Sequence, residues 1–425
     1  MNIQNLQDFI DTTPTARYCS LNLESQLKGE GFVELLEGKS WEKPIEGTKG
    51  IYVIRGSSVI AIKLPKFLCG FAGVLTHSDS PCLKIKRSPE LKSNGYTKLN
   101  VEPYGGAIYY SWLDKPLSIS GTAMVDDEEM LFDSCESHHV VIPSQAIHIN
   151  REVNNSNKLN AQLDLCPIFS LAFKNEEKSF IDYIKKAFNA EGRTIFAMDI
   201  SLYNPEPVKT VELAGSDCQT LVMGPRLDNL ASVYAAFQAF IDSDAQEDVA
   251  QVFVAFNGEE IGSMTHDGAD GQFLSSVLER LCIAYGVDKY SAFARSVMLS
   301  VDAAHAIHPN ATEKSDPSNI VKLGNGVVIK HNNNYASDLC LEAVLRCICG
   351  KQGIKCQDFY SRSDMRCGST LGNISMRYHG IRTLDIGIPM LAMHSAVETI
   401  SADDITSLER LLIEYYNTEY SFEKL

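Results

Sequence analysis

The chain has 425 residues and a formal net charge of −16. This length exceeds the usual size of one hydrophobic core, so we expect two structural domains. The negative charge disfavours nucleic acids and anionic membranes as partners, because both are themselves negatively charged. The N-terminal residues lack a basic start with an apolar core, and no apolar run reaches about 18 residues, so we expect neither a signal peptide nor a membrane span.

The cysteines indicate a reducing compartment. Twelve of them are scattered without a repeating spacing, and with no export signal they are expected to be free thiols in a cytoplasmic protein. Cys347, Cys349 and Cys356 are close enough in sequence to suggest a metal site. They lie, however, in or just after the apolar pattern LCLEAVLRCICGKQG, which is typical of a helix, so we expect core packing instead.

The predicted elements divide the chain into three parts. Residues 1–88 combine an amphipathic N-terminal segment with strand-like runs such as GIYVIRG and CGFAGVLTH. Residues 89–205 contain short alternating runs separated by Gly, Pro and acidic turns, which indicates a β-rich module. From residue 206, apolar strands alternate with longer helical stretches, the pattern of a parallel α/β sheet. We predict an α/β domain with a central, mostly parallel sheet, formed by 1–88 and 206–425, and a β-rich insertion at 89–205.

Acids and histidines follow the apolar runs of the predicted α/β domain. Ligands of open α/β sheets bind beyond the carboxyl ends of the strands, so these side chains are expected to converge. Each has a structural explanation when taken alone, as a helix N-cap, a loop acid or a loop histidine. The residues are His77 and Asp79 after GVLT, Asp228 before an amphipathic helix, Glu259 and Glu260 after QVFVAF, Asp302 after SVMLSV, and His394 after TLDIGIPMLAM.

Together these residues favour a two-metal hydrolytic site. Histidine nitrogens and carboxylate oxygens are ligands that Zn²⁺ prefers, and one acid can bridge two ions. In His77-Ser-Asp79 the acid can accept the second imidazole N–H and orient the ring. In the stretch NGEEIG, adjacent side chains face opposite directions, so Glu260 can bind metal while Glu259 accepts a proton from the attacking water.

With these residues in place, the chain resembles the M18 metallopeptidases, the aspartyl aminopeptidase family. The similarity covers nearly the whole chain and depends on eight motifs in family order, which chance explains poorly. The motifs are LTHSDSPCLKIK, VEPYGGAIYYSWLDKPLSISG, VIPSQAIHINREVN, RLDNLASVYAA, NGEEIGS, SVDAAHAIHPN, SDMRCGSTLGN and LAMHS.

The resemblance implies two zinc ions per subunit, for which Mn²⁺ and Co²⁺ stay open as substitutes. The implied ligands are Asp228 as the bridge, His77 and Asp302 at one ion, and Glu260 and His394 at the other. Glu259 is the implied general base, and Asp79 is the implied partner that orients His77. His305 and His308 could compete with Asp302 on chemical grounds, but the family pattern favours Asp302.

The resemblance also implies an obligate homo-oligomer, a tetrahedral dodecamer built from dimers. In the family, the histidine that corresponds to His148 reaches from the insertion into the active site of a neighbouring subunit, where it can stabilise an oxyanion. The chain departs from the family at two places. Asn257 and Gly258 stand where relatives often carry an acid and then Asn or His, and Ser144 stands where some relatives carry a second His.

The implied substrate is a peptide with an N-terminal Asp or Glu. Lys330 aligns with the family lysine that pairs with the substrate side-chain carboxylate, and an acidic protein needs such a cation. Tyr335, Gly368 and Ser369 are the further candidates for the pocket wall. Three alternatives stay open: the same mechanism with a neutral N-terminal preference, a two-metal carboxypeptidase or deacylase, and an assembly protein without chemistry.

Overall fold

The computed structural model describes residues 2–41, 48–135, 137, 139–156, 158–171, 179–215 and 220–419. Its described cysteines are free thiols, whereas Cys218 lies outside the described residues. Within those ranges, no helix has both the length and the apolar character needed to cross a membrane.

Helices and strands occur along the whole described part of the chain. The helices are α1 (Ile3–Asp11), α2 (Ala16–Gly29), α3 (Val153–Ser156), α4 (Ala161–Asp164), α5 (Phe180–Ala187), α6 (Leu227–Asp242), α7 (Phe273–Tyr285), α8 (Lys289–Ala294), α9 (Leu339–Gln352), α10 (Leu371–His379) and α11 (Ala402–Tyr416). The strands are β1 (Phe32–Glu34), β2 (Gly50–Arg55), β3 (Ser58–Lys63), β4 (Gly70–His77), β5 (Cys82–Ser93), β6 (Tyr96–Tyr104), β7 (Pro116–Val125), β8 (Glu128–Asp133), β9 (Val140–Val141), β10 (Ile168–Leu171), β11 (Ile195–Tyr203), β12 (Lys209–Glu212), β13 (Thr220–Gly224), β14 (Val249–Phe256), β15 (Val297–Val301), β16 (Ala304–His305), β17 (Val327–His331), β18 (Cys356–Tyr360), β19 (Arg382–Gly387), β20 (Pro389–Leu391) and β21 (Glu398–Ser401).

The chain forms two compact units. The first contains residues 1–79, 208–393 and 398–425, and the second contains residues 80–207 and 394–397. The first boundary lies before the predicted one at 88/89, because β5 pairs with β6 and β11 of the second unit from Cys82 onwards.

The first unit has a nine-stranded sheet in the order β1-β2-β3-β14-β4-β15-β19-β17-β18. The central neighbours β14, β4, β15 and β19 run parallel to one another. All residues of β14 and β4 are buried, which is why these strands are continuous apolar runs in the sequence. The mixed α/β class and its mostly parallel sheet are therefore confirmed. A five-stranded sheet, β12-β13-β21-β20-β16, completes this unit.

The second unit is the predicted β-rich module. Its strands pair antiparallel in the order β11-β5-β6-β10-β9-β7-β8, and an additional pairing of β11 with β7 links strands that are distant in that order. Alternate residues of β5 and β6 are buried, as expected for strands with one solvated face. This unit has its own hydrophobic core, which includes Leu83, Leu99 and Phe180.

The predicted packing of three cysteines in a helical core fits only one of them. Cys349 is buried in α9 and belongs to the core of the first unit. Cys347 is exposed on the same helix, and Cys356 begins β18 and is partly buried. The helical pattern correctly indicated α9, and Gly353, whose left-handed φ of 63° ends the helix, separates Cys356 from it.

Candidate metal centre

Neighbouring strands of the first unit bring predicted site residues to one edge of its sheet. β4 ends at His77, and β14 runs parallel to it with Phe256 paired to His77. β15 lies on the other side of β4 and ends at Val301, directly before Asp302. Parallel strands present their carboxyl ends at the same edge, so His77, Asp302 and the residues after Phe256 meet there.

His77 is the centre of this cluster and is buried. Its Nε2 atom lies 3.4 Å from Asp228 Oδ1 and 3.3 Å from Asp302 Oδ1. Its Nδ1 atom lies 3.1 Å from the carbonyl oxygen of Asp79 and 3.6 Å from Asp79 Oδ1. Burial opposes the charged imidazole, but hydrogen bonding to Asp228, Asp302 and Asp79 raises the pKa of His77 well above its usual value.

The two glutamates form a short turn whose backbone is hydrogen-bonded to the Asp79 carboxylate. The backbone N–H groups of Glu259 and Glu260 donate to Asp79 Oδ1 and Oδ2, each at 3.1 Å. The turn is flanked by Gly258 and Gly262, whose φ angles of 82° and 92° are left-handed, a conformation that glycine adopts without steric cost. The glycines of NGEEIG therefore set the turn, and Asp79 fixes its position relative to His77.

The glutamate side chains lie in a strongly anionic environment. Burial raises the pKa of Glu259 to about 8, and the neighbouring aspartates add to this against the opposing effect of His77. Burial and the charge of Asp228 raise the pKa of Glu260 well above its usual value. Grouped carboxylates resist ionisation in this way when no cation compensates them, so the cluster has the electrostatics of a cation site.

Asp302 has a protein cation beside it. Lys330 Nζ lies 3.6 Å from Asp302 Oδ2, and the Lys330 side chain on β17 is 1% exposed. Burial raises the pKa of Asp302, but Lys330 and His77 have the larger combined effect and lower it below its usual range. The same Lys330 ammonium lies 5.4 Å from the ring centroid of Tyr335, so both neighbours of this buried charge belong to the first unit.

Asp228 lies inside the first turn of α6 rather than before the helix, where the sequence placed it. Asp228 and Asn229 have non-helical backbone angles there, and Arg226 takes the N-cap position. The Asp228 N–H donates to Glu398 Oε2 at 2.9 Å, and Asn229 Nδ2 donates to the Val301 carbonyl at 2.9 Å. These bonds direct the Asp228 carboxylate towards His77. The buried Glu398 on β21 was missed by the sequence reasoning; its only signal is an isolated acid shortly after LAMHS.

The remaining predicted residues belong to other segments of the chain. His394 has a left-handed φ of 66° and belongs to the second unit, where its Nδ1 lies 3.3 Å from the Gly106 carbonyl oxygen. His148 is in an exposed turn of that unit. Gly368 and Ser369 are exposed in the loop before α10. The roles of these four residues stay predictions.

His305 and His308, the chemical competitors of Asp302, are exposed residues after β15. The His308 Nδ1 atom accepts the Asn310 N–H at 3.2 Å. Asp302 instead lies within hydrogen-bonding range of His77, which agrees with the preference for Asp302.

The donor set fits zinc. One ligand atom from each of His77, Asp228 and Asp302 lies within 4.8 Å of the others, and the same holds for His77, Glu259 and Glu260. An imidazole nitrogen with several carboxylate oxygens is the mixture that Zn²⁺ accepts. These acids are buried or partly buried, and a cation would offset the cost of holding their charges together.

A buried histidine and carboxylate cluster beyond the carboxyl edge of a parallel sheet defines the class of metal-dependent hydrolases. The family described as "Aminopeptidase I zinc metalloprotease (M18)" matches residues 9–416. The chain therefore belongs to the M18 family, as the motifs predicted, and it is a zinc-dependent aminopeptidase.

Three relatives illustrate the similarity. A probable M18 family aminopeptidase 2 from Clostridium novyi is 36% identical over 431 residues, which cover 97% of this chain and 98% of that protein. The crystal structure of prApe1 aligns with a TM-score of 0.91 at 25% identity, covering 99% of this chain and 95% of that one. The mApe1 dodecamer of S. cerevisiae aligns with a TM-score of 0.82 at 25% identity, covering 97% and 95%.

Proposed function

We propose that this aminopeptidase uses two zinc ions to remove an N-terminal residue, preferably Asp or Glu, from peptides. The observation that carries the proposal is the convergence of Asp228 and Asp302 on His77 Nε2, at 3.4 and 3.3 Å. In the proposed site Asp228 would be a ligand shared by both ions. His77 and Asp302 would hold one ion, and Glu260 and His394 would hold the other.

The protein groups have distinct tasks in the proposed reaction. Bound zinc supplies Lewis acidity, which polarises the scissile carbonyl and makes water easier to deprotonate. Glu259 accepts the proton from the attacking water and returns it to the leaving amine, a contribution typically of about 10²–10⁴-fold. Asp79 keeps Glu259 in place through the N–H group that it accepts at 3.1 Å.

The acidic preference is proposed from Lys330, which in this proposal pairs with the side-chain carboxylate of the substrate. The second candidate is the same mechanism with a neutral preference, and one observation favours it. Lys330 is 1% exposed and lies 3.6 Å from Asp302, so its charge already compensates an acid of the site. Lys330 can select an acidic substrate only if this charge also acts on the bound side chain.

Self-association is proposed from the relatives and from the second unit. The mApe1 structure of S. cerevisiae is described as a dodecamer, and we propose a homododecamer built from dimers for this chain. His148 lies in an exposed turn between Ile147 and Ile149, which are 51% and 80% exposed. These apolar residues suit a subunit contact, in which His148 would reach a neighbour's active site and stabilise the oxyanion.

A cytoplasmic location remains part of the proposal. It agrees with the free thiol state of the described cysteines. Mn²⁺ and Co²⁺ are proposed as substitutes for zinc, because they accept the same nitrogen and oxygen ligands.

A peptide panel tests the specificity. Initial rates are measured on matched peptides that begin with Asp, Glu, Leu, Ala or Lys, with zinc content determined on the same sample. We expect two zinc ions per subunit and the highest kcat/KM for Asp and Glu. Lys330→Met should reduce cleavage of the acidic peptides by about 30-fold, the lower end of the cost of truncating a buried ion pair.

Lys63→Met is the matched control. Lys63 is also a buried lysine, but its Nζ donates to carbonyl oxygens at the end of α6, including Ile241 at 3.2 Å. This variant should keep the acidic preference. A wild-type preference for Leu would refute the acidic selectivity and retain the mechanism, whereas cleavage at the C-terminal end or of N-acyl amino acids would favour a carboxypeptidase or deacylase.

A further inference from the structure

Two loop segments contact each other beside Lys330 in the first unit. The first comprises residues 331–336, which start at the last residue of β17, and the second comprises residues 363–370, which precede α10. Cys367 Sγ donates to the Tyr335 hydroxyl at 2.9 Å, and Asn334 Nδ2 donates to the Cys367 carbonyl at 3.0 Å. The segments contain Tyr335, Gly368 and Ser369, the proposed wall of the substrate pocket.

A buried carboxylate on the central sheet joins both segments. Asp385 on β19 is fully buried, and its Oδ2 atom accepts the backbone N–H of Ala336 from the first segment. Its Oδ1 atom accepts the Thr370 hydroxyl from the second segment at 2.7 Å. Thr370 is the N-cap residue of α10, yet its side chain makes no capping bond. Its hydroxyl donates to Asp385 instead.

Asp385 is closely packed against its neighbours, and a nearby positive charge acts on it. A Cβ atom at Gly372 would lie 2.6 Å from Asp385 Oδ2, so only glycine admits the carboxylate there. The Asp385 N–H donates to the Ala336 carbonyl at 3.0 Å, a second bond to the same residue. The positive charge of Lys330 acts on Asp385 as well as on Asp302. One buried acid therefore contacts both segments and is electrostatically linked to the lysine beside the metal cluster.

We propose that Asp385 is a positioning residue for the aminopeptidase reaction, which fixes residues 331–336 and 363–370 as the two walls of the pocket that receives the N-terminal side chain. The inference rests on the proposed location of that pocket. Asp385 touches neither metal nor substrate in this proposal. It acts through the Ala336 N–H and the Thr370 hydroxyl, each of which anchors one wall.

Thr370→Val tests the anchor of the second wall without removing the buried charge. Loss of a hydrogen bond to a charged group should raise KM about tenfold and change kcat by less than about twofold. Hydrogen exchange of residues 363–370 should become faster. Asp385→Asn removes the charge and disturbs both anchors, so kcat/KM should fall about 100-fold.

Thr383→Val is the matched control. Thr383 is another buried threonine, on the same strand as Asp385, and its hydroxyl donates to the Ile381 carbonyl at 2.9 Å. That bond contacts neither wall. Thr383→Val should therefore lower the melting temperature about as much as Thr370→Val does, but leave KM and the hydrogen exchange of residues 363–370 unchanged.

The two threonine variants test the positioning role of Asp385 even if Asp385→Asn does not fold. Equal KM values for Thr370→Val and Thr383→Val would overturn the proposal, because a purely structural bond would affect both alike. The measurements use the peptide that the wild-type enzyme cleaves fastest. A wild-type preference for a neutral peptide therefore refutes the proposed acidic selectivity, while the test of Asp385 still gives its own result.

Discussion

The Asp79→Asn variant isolates the link between His77 and the glutamate turn. Both carboxylate oxygens of Asp79 accept backbone N–H groups, from Glu259 and Glu260 at 3.1 Å each. An asparagine keeps one acceptor oxygen and turns an NH₂ group towards the second N–H. The variant therefore loses one charge-assisted hydrogen bond, about 1.5–3 kcal/mol, and gains a donor–donor contact.

We expect this loss to reduce the rate, because Glu259 must be held in position for proton transfer. If the whole 1.5–3 kcal/mol is lost from the transition state, kcat/KM falls about 10- to 150-fold. Zinc affinity should fall by about 10- to 100-fold, because His77 and Glu260 are both positioned through Asp79. The assay measures kcat/KM at saturating zinc and zinc affinity by competition with a chelator.

Asp316→Asn is the control for the loss of a carboxylate that bridges backbone amides. Asp316 Oδ1 accepts the N–H groups of Ser318 and Asn319 at 3.0 and 2.9 Å, in a loop outside the metal cluster. This variant should retain wild-type kcat/KM and zinc affinity. If Asp79→Asn also retains both within about twofold, the assigned role of Asp79 is wrong.

Three further outcomes follow from the same geometry. Glu259→Gln should retain zinc and lose about 10²–10⁴-fold in kcat; an active variant would exclude Glu259 as the base. Gly258→Ala should destabilise more than Gly262→Ala in chemical denaturation, because both have a left-handed φ but only a Cβ at 258 meets Thr265 Oγ1, at 2.8 Å; equal losses would contradict this. Burial raises the pKa of Asp404 to about 7, so its contribution to stability, present below about pH 4, is lost as the pH rises through 7. The loss is about 4 kcal/mol, and Asp404→Asn should flatten the free energy of unfolding between pH 4 and 8; an unchanged slope would refute the assignment.

Local patterns in the sequence were sufficient for the class of fold, and they placed several candidate donors at the ends of strands. The run VFVAF is apolar throughout because β14 is buried on both faces, and alternation in the middle third matched the antiparallel second unit. The position of His77, Asp302 and the glutamate pair directly after strands predicted their convergence, because parallel strands share one carboxyl edge. The family followed from ordered motifs, which are a property of the chain alone.

Some assignments needed contacts between distant segments. The sequence placed Asp228 at the start of α6 but did not indicate that its N–H donates to Glu398 from β21. It suggested that Asp79 serves His77, whereas the Asp79 carboxylate also holds the backbone of the glutamate turn. A carboxylate accepts whichever N–H groups the fold brings near it, and no periodicity encodes that choice.

The sequence by itself determined which residue types stand at the strand ends, and thereby the zinc-peptidase chemistry. Only the tertiary structure decided how they are charged and held. Lys330 and Asp385 lie on neighbouring strands, β17 and β19, and the burial of Lys330 beside Asp302 depends on strand order in the sheet. Strand order depends on the packing of the whole first unit, because its central pairs, such as β4 with β14, join strands that are distant in sequence.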